Sequence, residues 1–520
     1  MATRYGTIER MQVRDQLTGM DAQQLREFAA GLIEHIARQD DELRCRQFKI
    51  EQMTHEMALL RRWKFAARSE QLHGMQGSLL DETIEADLEA LAVELDALQP
   101  AKPMPPAKDQ PKRTALPVHL PRREVRHEPE QTVCSCGCAM KRIGEDVSEK
   151  LDYTPGVFEV ERHIRGKWAC AKCQTLIQAP VPAQVIDKGI ATAGLLAQVL
   201  VAKYADHQPL YRQEGIFARA GVAIPRSTLA QWVGACGVHL QPLVDALRAM
   251  LLERSVLHAD ETPVAMLTPG KGKTHRAYLW SYSSTQFDDI HAVVYDFTES
   301  RAGLHAKGFL EGWSGKLVCD DYSGYKALFA AGITEVGCLA HARRKFHDLW
   351  ANHQSAVAEE ALKHFAALYE VEQQVRELST EERQRIRQLR ARPIADKFHD
   401  WLQLQRQKTT EGTAIAKAIN YSLGRWQALT RFLDDGALPI DNNWIENRIR
   451  PIALGRSNWL FAGSLRAGKR AAAVMTLIQS ARLNGHDPYA YLEDILERLP
   501  TQPASRIGEL LPHSWKPATA

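Results

Sequence analysis

The chain is 520 residues long with 45% hydrophobic and 25% charged positions, a globular composition with length for three or four cores, which excludes disorder as its main state. Lys and Arg (66) nearly balance Asp and Glu (63), leaving +3, so a nucleic-acid partner would have to be held by local basic patches. No apolar run reaches the ~20 residues of a membrane helix, and the start MATRYGTIERMQVRD lacks a signal peptide's apolar core. These features point to a cytoplasmic protein with no membrane partner. Of nine cysteines, five crowd into Cys134, Cys136, Cys138, Cys170 and Cys173, a pattern that in a reduced compartment binds metal more often than it forms disulfides.

Residues 1–99 hold no proline and carry a seven-residue apolar repeat. One seam reads Ala29, Ile36, Leu43, Ile50, Met57; the other reads Leu25, Leu32, Gln39, Arg46, Met53, Leu60. Such a seam predicts an N-terminal coiled coil and therefore a homo-oligomer, although Gln39 and Arg46 weaken its middle. Residues 100–125 form a linker, because seven of the 24 prolines lie between Pro100 and Pro121 and preclude helix. In 126–185, the groups CSCGC and CAKC are separated by two segments of alternating polarity, the pattern of a ribbon pinned by one structural Zn²⁺. Cys170 and Cys173 supply two thiolates; Cys134 and Cys136 are the preferred second pair, with Cys138 open as an alternative. Residues 186–254 read as helical. Two amphipathic helices flank the turn AGVAIP, with Ser227 or Thr228 as N-cap of the second, the outline of a helix-turn-helix.

The segment 255–500 carries the chemistry, leaving 501–520 as a C-terminal tail. Its elements are strand VLHADETPVAML, strand RAYLWSYSS, strand HAVVYDFTES, helix AGLHAKGFLEGW and strand GKLVCDDYSGY. Three consecutive strands, a crossover helix and a fourth strand parallel to the first is the order of a ribonuclease H-like α/β core. That order puts Asp260 inside the first strand and Asp320 at the carboxyl end of the fourth. Both lie in apolar strands, where a metal ion removes the cost of a buried carboxylate. A third acid, Glu446, lies in DNNWIENRIRPIALGRSNWLFAGS, on one predicted helix face with Asn443 and Arg450. The stretch 342–431 between them reads as a helical insertion, so the chain as a whole is multidomain and mostly α.

In order along the chain, FAARSE, LPVHLPR, GEDVSEKLDYTP, HIRGKWAC, HADETPV, CDDYSGY, CLAHARRKF and DNNWIENRIRPIALGRSNWLFAGS resemble the large transposase of the insertion sequence 66 family. The resemblance covers nearly the whole chain. It implies an acid-triad (DDE) enzyme whose catalytic residues map onto Asp260, Asp320 and Glu446, with two Mg²⁺ ions serving phosphodiester hydrolysis and strand transfer at the ends of a bacterial insertion sequence. Asp260 would bridge the ions, while Asp320 and Glu446 would each hold one. Asp321 stands where a glycine is expected, and Glu261 adjoins the first acid, so each neighbour competes for the ligand role. The implied partners are element-end and target DNA and small accessory transposition proteins.

Cys338 and His341 form a C-x-x-H pair after the next strand, similar to a pair after the second acid in some other cut-and-paste transposases; the alternative is a core cysteine and a helix-starting histidine. Arg343, Arg344, Lys345, Arg448, Arg450 and Arg456, joined by Arg466, Lys469 and Arg470, put positive charge on both sides of the acids, among Trp444 and Trp459. Two other readings fit parts of the pattern: a sequence-specific DNA-binding protein without catalysis, and a metal-dependent nuclease that cuts without joining.

Overall fold

A chain with no proline before Pro100 can run as long helices, and it does so in α1 (Ala22–Ala66) and α2 (Gly74–Leu98). The computed structural model of the chain describes residues 22–66, 74–98, 116–118, 120–129, 132–133, 135, 138–154, 156–187, 189–268 and 273–517. Most of the linker, together with Cys134 and Cys136, lies outside the described residues. Two compact units are present, one of residues 1–68 and 91–110, the other of 69–90 and 111–520. In the first, the seam residues Met53 and Leu60 are buried, whereas Leu32, Ile36 and Leu43 are 45%, 55% and 60% exposed, an apolar stripe on the single chain.

The second unit begins with the first four turns of α2, which charge and close packing hold against the body. Arg470 pairs with the buried Asp87 at 2.9 Å, the Ser464 hydroxyl donates to the same carboxylate, and Glu82 accepts the Tyr211 N–H at 3.0 Å. Gly234 makes the approach possible, since a Cβ there would stand 2.3 Å from the Ala86 carbonyl oxygen.

The segment around the cysteines is a small sheet. β1 (Arg122–His127) pairs parallel with β3 (Val157–Ala169), and β2 (Lys141–Thr154) and β4 (Leu176–Gln178) pair with β3 antiparallel. The two alternating strands expected between the cysteine groups are thus β2 and β3. Helices α3 (Ala193–Tyr204), α4 (Leu210–Arg219) and α5 (Arg226–Leu251) follow. The expected cap needs correcting. α5 starts at Arg226 behind Pro225, which places Ser227 and Thr228 inside its first turn with no capping bond. Glu214 of α4 does the capping instead, accepting the Arg226 N–H at 2.9 Å.

A five-stranded sheet follows, built from β5 (Val256–Thr268), β6 (Lys273–Ser283), β7 (Val293–Thr298), β8 (Lys316–Cys319) and β9 (Thr334–Gly337), in the order β7-β6-β5-β8-β9. The first three strands are antiparallel; β8 joins β5, and β9 joins β8, in parallel, with α6 (Gly303–Phe309) in the crossover between β7 and β8. After α7 (Lys326–Ala330) and β9 the chain leaves the sheet through α8 (Leu339–His353), α9 (Ala356–Val375), α10 (Thr380–Ile386), α11 (Arg392–Lys408), α12 (Ala414–Gly424) and α13 (Trp426–Thr430). It returns in α14 (Asn443–Trp459), α15 (Leu465–Leu483) and α16 (Pro488–Arg498). The edge strand β7 is closed by α15, whose Thr476 and Ser480 hydroxyls accept the Tyr295 and Val293 N–H groups at 2.9 and 3.1 Å.

One apolar cluster runs from Ala86 of α2 through the small sheet, the α3–α5 helices and the large sheet to Leu510, Leu511 and Trp515. Part of the stretch expected to be a tail, Leu510, Leu511 and Trp515, therefore lies in a core. A second cluster, centred on Phe346, Phe365, Phe398 and Phe432, belongs to the helical insertion. No helix among the described residues is long and apolar enough to cross a membrane.

Arg387, fully buried between α10 and α11, ties that insertion to the returning chain. It pairs with Glu372 through two bonds of 2.7 and 2.6 Å and donates to the carbonyls of Phe432, Asp435 and Leu438. Removing one member of a buried pair strands the other charge. Arg387→Met is therefore expected to lower the unfolding free energy of the insertion by about 3–5 kcal/mol, read by denaturant titration, with Glu372→Gln in the same chain recovering part of the loss.

Candidate active site

The parallel pairing of β5 with β8 brings the first two acids together. Its register sets Val256 against Lys316 and His258 against Val318, an offset of 60 that is also the separation of Asp260 and Asp320. Asp260 lies two residues past that ladder on β5 and Asp320 just past the end of β8, near enough that the Asp320 charge raises the Asp260 proton affinity. Asp320 follows the last strand residue, Cys319, and its Oδ1 accepts the Tyr322 N–H at 2.9 Å.

Glu446 arrives on the first turn of α14, and Asn442 secures that turn. Completely buried, Asn442 donates from Nδ2 to the Ala259 carbonyl at 2.9 Å, faces His258 Nδ1 with its Oδ1 at 2.7 Å, and points its own N–H at Cys338 Sγ at 3.2 Å. With Nδ2 committed to a carbonyl, Oδ1 faces the imidazole, which makes His258 Nδ1 the donor. The Asn442 carbonyl in turn accepts the Glu446 N–H at 3.2 Å. Further along, Arg456 fixes the same helix by donating to Thr262 Oγ1 at 3.2 Å and to the Pro263 carbonyl. α14 is thus attached to the strand of the first acid at two points.

Burial pushes the Asp260 carboxyl well above the usual carboxylate range; the neighbouring charges of Glu261, Glu446 and Asp320 raise it further, against the single N–H bond from Glu261. The competing acids are already answered by cations. Glu261, almost wholly buried, accepts from Arg301 Nε at 2.7 Å and from the Tyr325 hydroxyl at 2.8 Å, and Asp321 pairs with Arg425 at 3.2 Å and Lys326 at 3.5 Å. Asp260 and Asp320 are therefore where like charge is concentrated, with Glu446 adding to the field on Asp260, and oxygen donors of this kind suit Mg²⁺.

Glu446 has neighbours of its own. His341 Nδ1 lies 3.7 Å from its Oε1 and Arg344 Nη2 lies 3.8 Å from its Oε2. Cys338, at the N-cap of α8, is fully buried, and burial pushes its thiol up to about 12.

The basic residues divide into two groups. Arg343, Arg344, Lys345 and Arg450 are exposed, with Lys345 also lying 4.4 Å over the Tyr421 ring. The DNA-contact expectation needs correcting for Arg456, turned onto β5 as above, and for Arg470, buried against Asp87. Arg448 is half-buried, 4.3 Å over the Trp444 ring, and Trp459 packs against the core with its indole N–H 3.4 Å from His207. Among the described cysteines of the ribbon, Cys138 and Cys170 share one small cluster with Met140, and Cys173 Sγ meets Thr175 Oγ1 at 3.1 Å.

Sequence reasoning passed over His258, Asn442 and Arg301. The face proposed for Asn443 belongs to Asn442, because Asn443 turns outward to Asp441 at 2.8 Å. The only sequence signal was a polar pair just ahead of a helix, which reads equally well as a cap.

Residues 188–470, more than half of the chain, match the family described as Transposase IS66 family. The chain belongs to the IS66 transposase family. Residues 476–513 of this transposase-family chain match the IS66 C-terminal element, 131–174 the zinc-finger binding domain of transposase IS66, and 52–125 the Transposase C of IS166 homeodomain. Among curated relatives, the IS66-family chain is 39% identical over 419 residues to the uncharacterized protein y4jD of Sinorhizobium fredii (strain NBRC 101917 / NGR234), covering 77% of this chain and 81% of that one. It is 37% identical over 494 residues to the uncharacterized protein y4qI of the same strain, covering 90% of each.

Two outcomes follow from the Asn442 junction. Asn442→Ala leaves the His258 N–H and the Ala259 carbonyl buried without partners and is expected to cost about 2–4 kcal/mol, read by denaturant unfolding, with faster hydrogen exchange at the Glu446 amide. The second concerns pH. Burial holds the His258 imidazole down at about 4, while in an unfolded chain it protonates near 6.5. Between those values only the unfolded chain carries the extra proton, so stability present above pH 6.5 is lost as pH falls toward 4. In metal-free buffer, the native chain should lose about 2–3 kcal/mol more between pH 7 and pH 4.5 than His258→Gln does.

Proposed function

We propose that the chain is a DDE transposase that cleaves phosphodiester bonds at the ends of an insertion sequence and transfers the strands to target DNA. The observation that carries the reading is the convergence of Asp260, Asp320 and Glu446 from β5, the end of β8 and α14, with half-buried Asp260 in the field of the other two. The strand order, with three antiparallel strands followed by two parallel ones, supports assigning the core to the ribonuclease H-like class.

Three carboxylates of one sign in a half-buried site are a poor arrangement for the chain alone and a good one for divalent cations. Asp260, Asp320 and Glu446 would together hold the Mg²⁺ ions. When bound, these ions supply an activated water or 3′-hydroxyl and stabilise the leaving oxygen of an in-line displacement. The protein's own part is positional. Asn442 and Arg456 fix Glu446 relative to Asp260, the β5–β8 ladder fixes Asp320, and the arginines on Glu261 and Asp321 keep those neighbours from competing. Exposed Arg343, Arg344, Lys345 and Arg450 are available to hold the DNA backbone.

In the cysteine segment, the zinc reading takes Cys170 and Cys173 with two of Cys134, Cys136 and Cys138; Cys138, beside Cys170 in the small cluster, fits a soft-metal site. The exposed stripe of Leu32, Ile36 and Leu43 supports self-association through α1.

The test is a strand-cleavage and joining assay with labelled element ends, supercoiled target plasmid and Mg²⁺. The native chain should give joined products, and Asp260→Asn, Asp320→Asn and Glu446→Gln should each lose joining by about 10³-fold or more while still binding the ends. Nicks without joining would instead mark a nuclease. Intact, bound DNA with the native chain, or undiminished joining by Asp260→Asn, would overturn the assignment of these acids.

A further inference from the structure

Cys338, His341 and Glu446 each offer one ligand atom, and the three atoms lie within 4.8 Å of one another. His341 Nδ1 and Glu446 Oε1 are both sealed from solvent and make no hydrogen bond. A buried polar atom without a hydrogen bond is costly, and two of them facing each other call for a shared partner. Their separation of 3.7 Å is close to the roughly 3.3 Å between two ligands of a tetrahedral Zn²⁺, given metal distances of about 2.0–2.1 Å.

Local geometry holds the trio in place. Cys338 and His341 sit at the N-cap and third residue of α8, and the Leu339 N–H bonds the Ile440 carbonyl at 3.1 Å, which ties α8 to the segment leading into α14. Cys338 Sγ also receives the Asn442 N–H, so the sulfur is oriented by the same residue that orients Glu446. One sulfur, one imidazole nitrogen and one carboxylate oxygen make a soft, mixed donor set that suits Zn²⁺ rather than Mg²⁺.

We infer that Cys338, His341 and Glu446 form a second zinc site, separate from the cysteine ribbon, with a fourth position left for water. Binding releases the thiol proton to solvent as the Zn–S bond forms. The binding claim stands on the trio's geometry alone. Its consequence rests on the proposed role of Glu446: a zinc ion here draws the third acid away from Mg²⁺, so zinc acts as a brake on strand cleavage.

Metal content of the full-length chain tests the site without reference to catalysis. After dialysis against Zn²⁺, the native chain should retain two equivalents, and His341→Asn and Cys338→Ser one each. A Cys170→Ser/Cys173→Ser chain, lacking the ribbon site, should still bind Co²⁺ with thiolate-to-cobalt charge-transfer absorption, and adding Cys338→Ser should abolish that absorption. Glu446→Gln should weaken the second equivalent on the order of a hundredfold. Equal zinc content in the native chain and His341→Asn, or equal cobalt absorption in the Cys170→Ser/Cys173→Ser chain with and without Cys338→Ser, would overturn the inference. In the Mg²⁺-dependent assay, added Zn²⁺ should slow the native chain at least tenfold more than it slows His341→Asn, each measured against its own zinc-free rate; equal slowing would reject the brake while leaving the metal count to stand.

Discussion

One buried amide, Asn442, joins three parts of the second unit. Its side chain bonds the β5 backbone and His258, its N–H meets the cysteine that caps α8, and its carbonyl begins α14. Each contact satisfies a group that would be costly to leave alone in a dry interior, so the junction tolerates few other arrangements. Glu446 sits one helical turn beyond, and its distance from Asp260 follows from this junction rather than from any property of Glu446 itself.

Charge is sorted around the site by the same economy. Four acids gather at the interior of β5 and just past the end of β8, and two have arginine partners: Glu261 takes Arg301, and Asp321 takes Arg425. Asp260 and Asp320 keep only local N–H bonds from Glu261 and Tyr322, and Asp260 answers its burial with an elevated proton affinity. Concentrating unpaired like charge is destabilising for the bare protein and is what gives the site its attraction for divalent cations.

The helical insertion has a share in this arrangement. Tyr369 of α9 donates to Asp441 at 2.8 Å, and Arg387 gathers carbonyls from the returning segment, so the insertion sets the path by which the chain comes back to the sheet. On the far edge, the hydroxyls of α15 close β7. An inserted helical layer and a sheet of five strands thus act as one support for α14.

Local pattern and covalent order determined a good deal. The proline-free helices, the alternating strands around the cysteines, the five elements from Val256 to Cys319 and the helix bearing Glu446 were legible because periodicity and prolines act within a few residues. The parallel pairing of the first and fourth strands was legible as well, since a parallel crossover leaves few topologies open. Tertiary structure decided the rest: that Asn442 rather than Asn443 faces inward, that Glu214 caps α5 in place of Ser227 or Thr228, and that Arg456 and Arg470 turn into the protein. It also brought Cys338, His341 and Glu446 together. Each of these outcomes depends on a partner about 10 to almost 400 positions away, and the identity of a buried group's partner is set by packing, which no local pattern encodes.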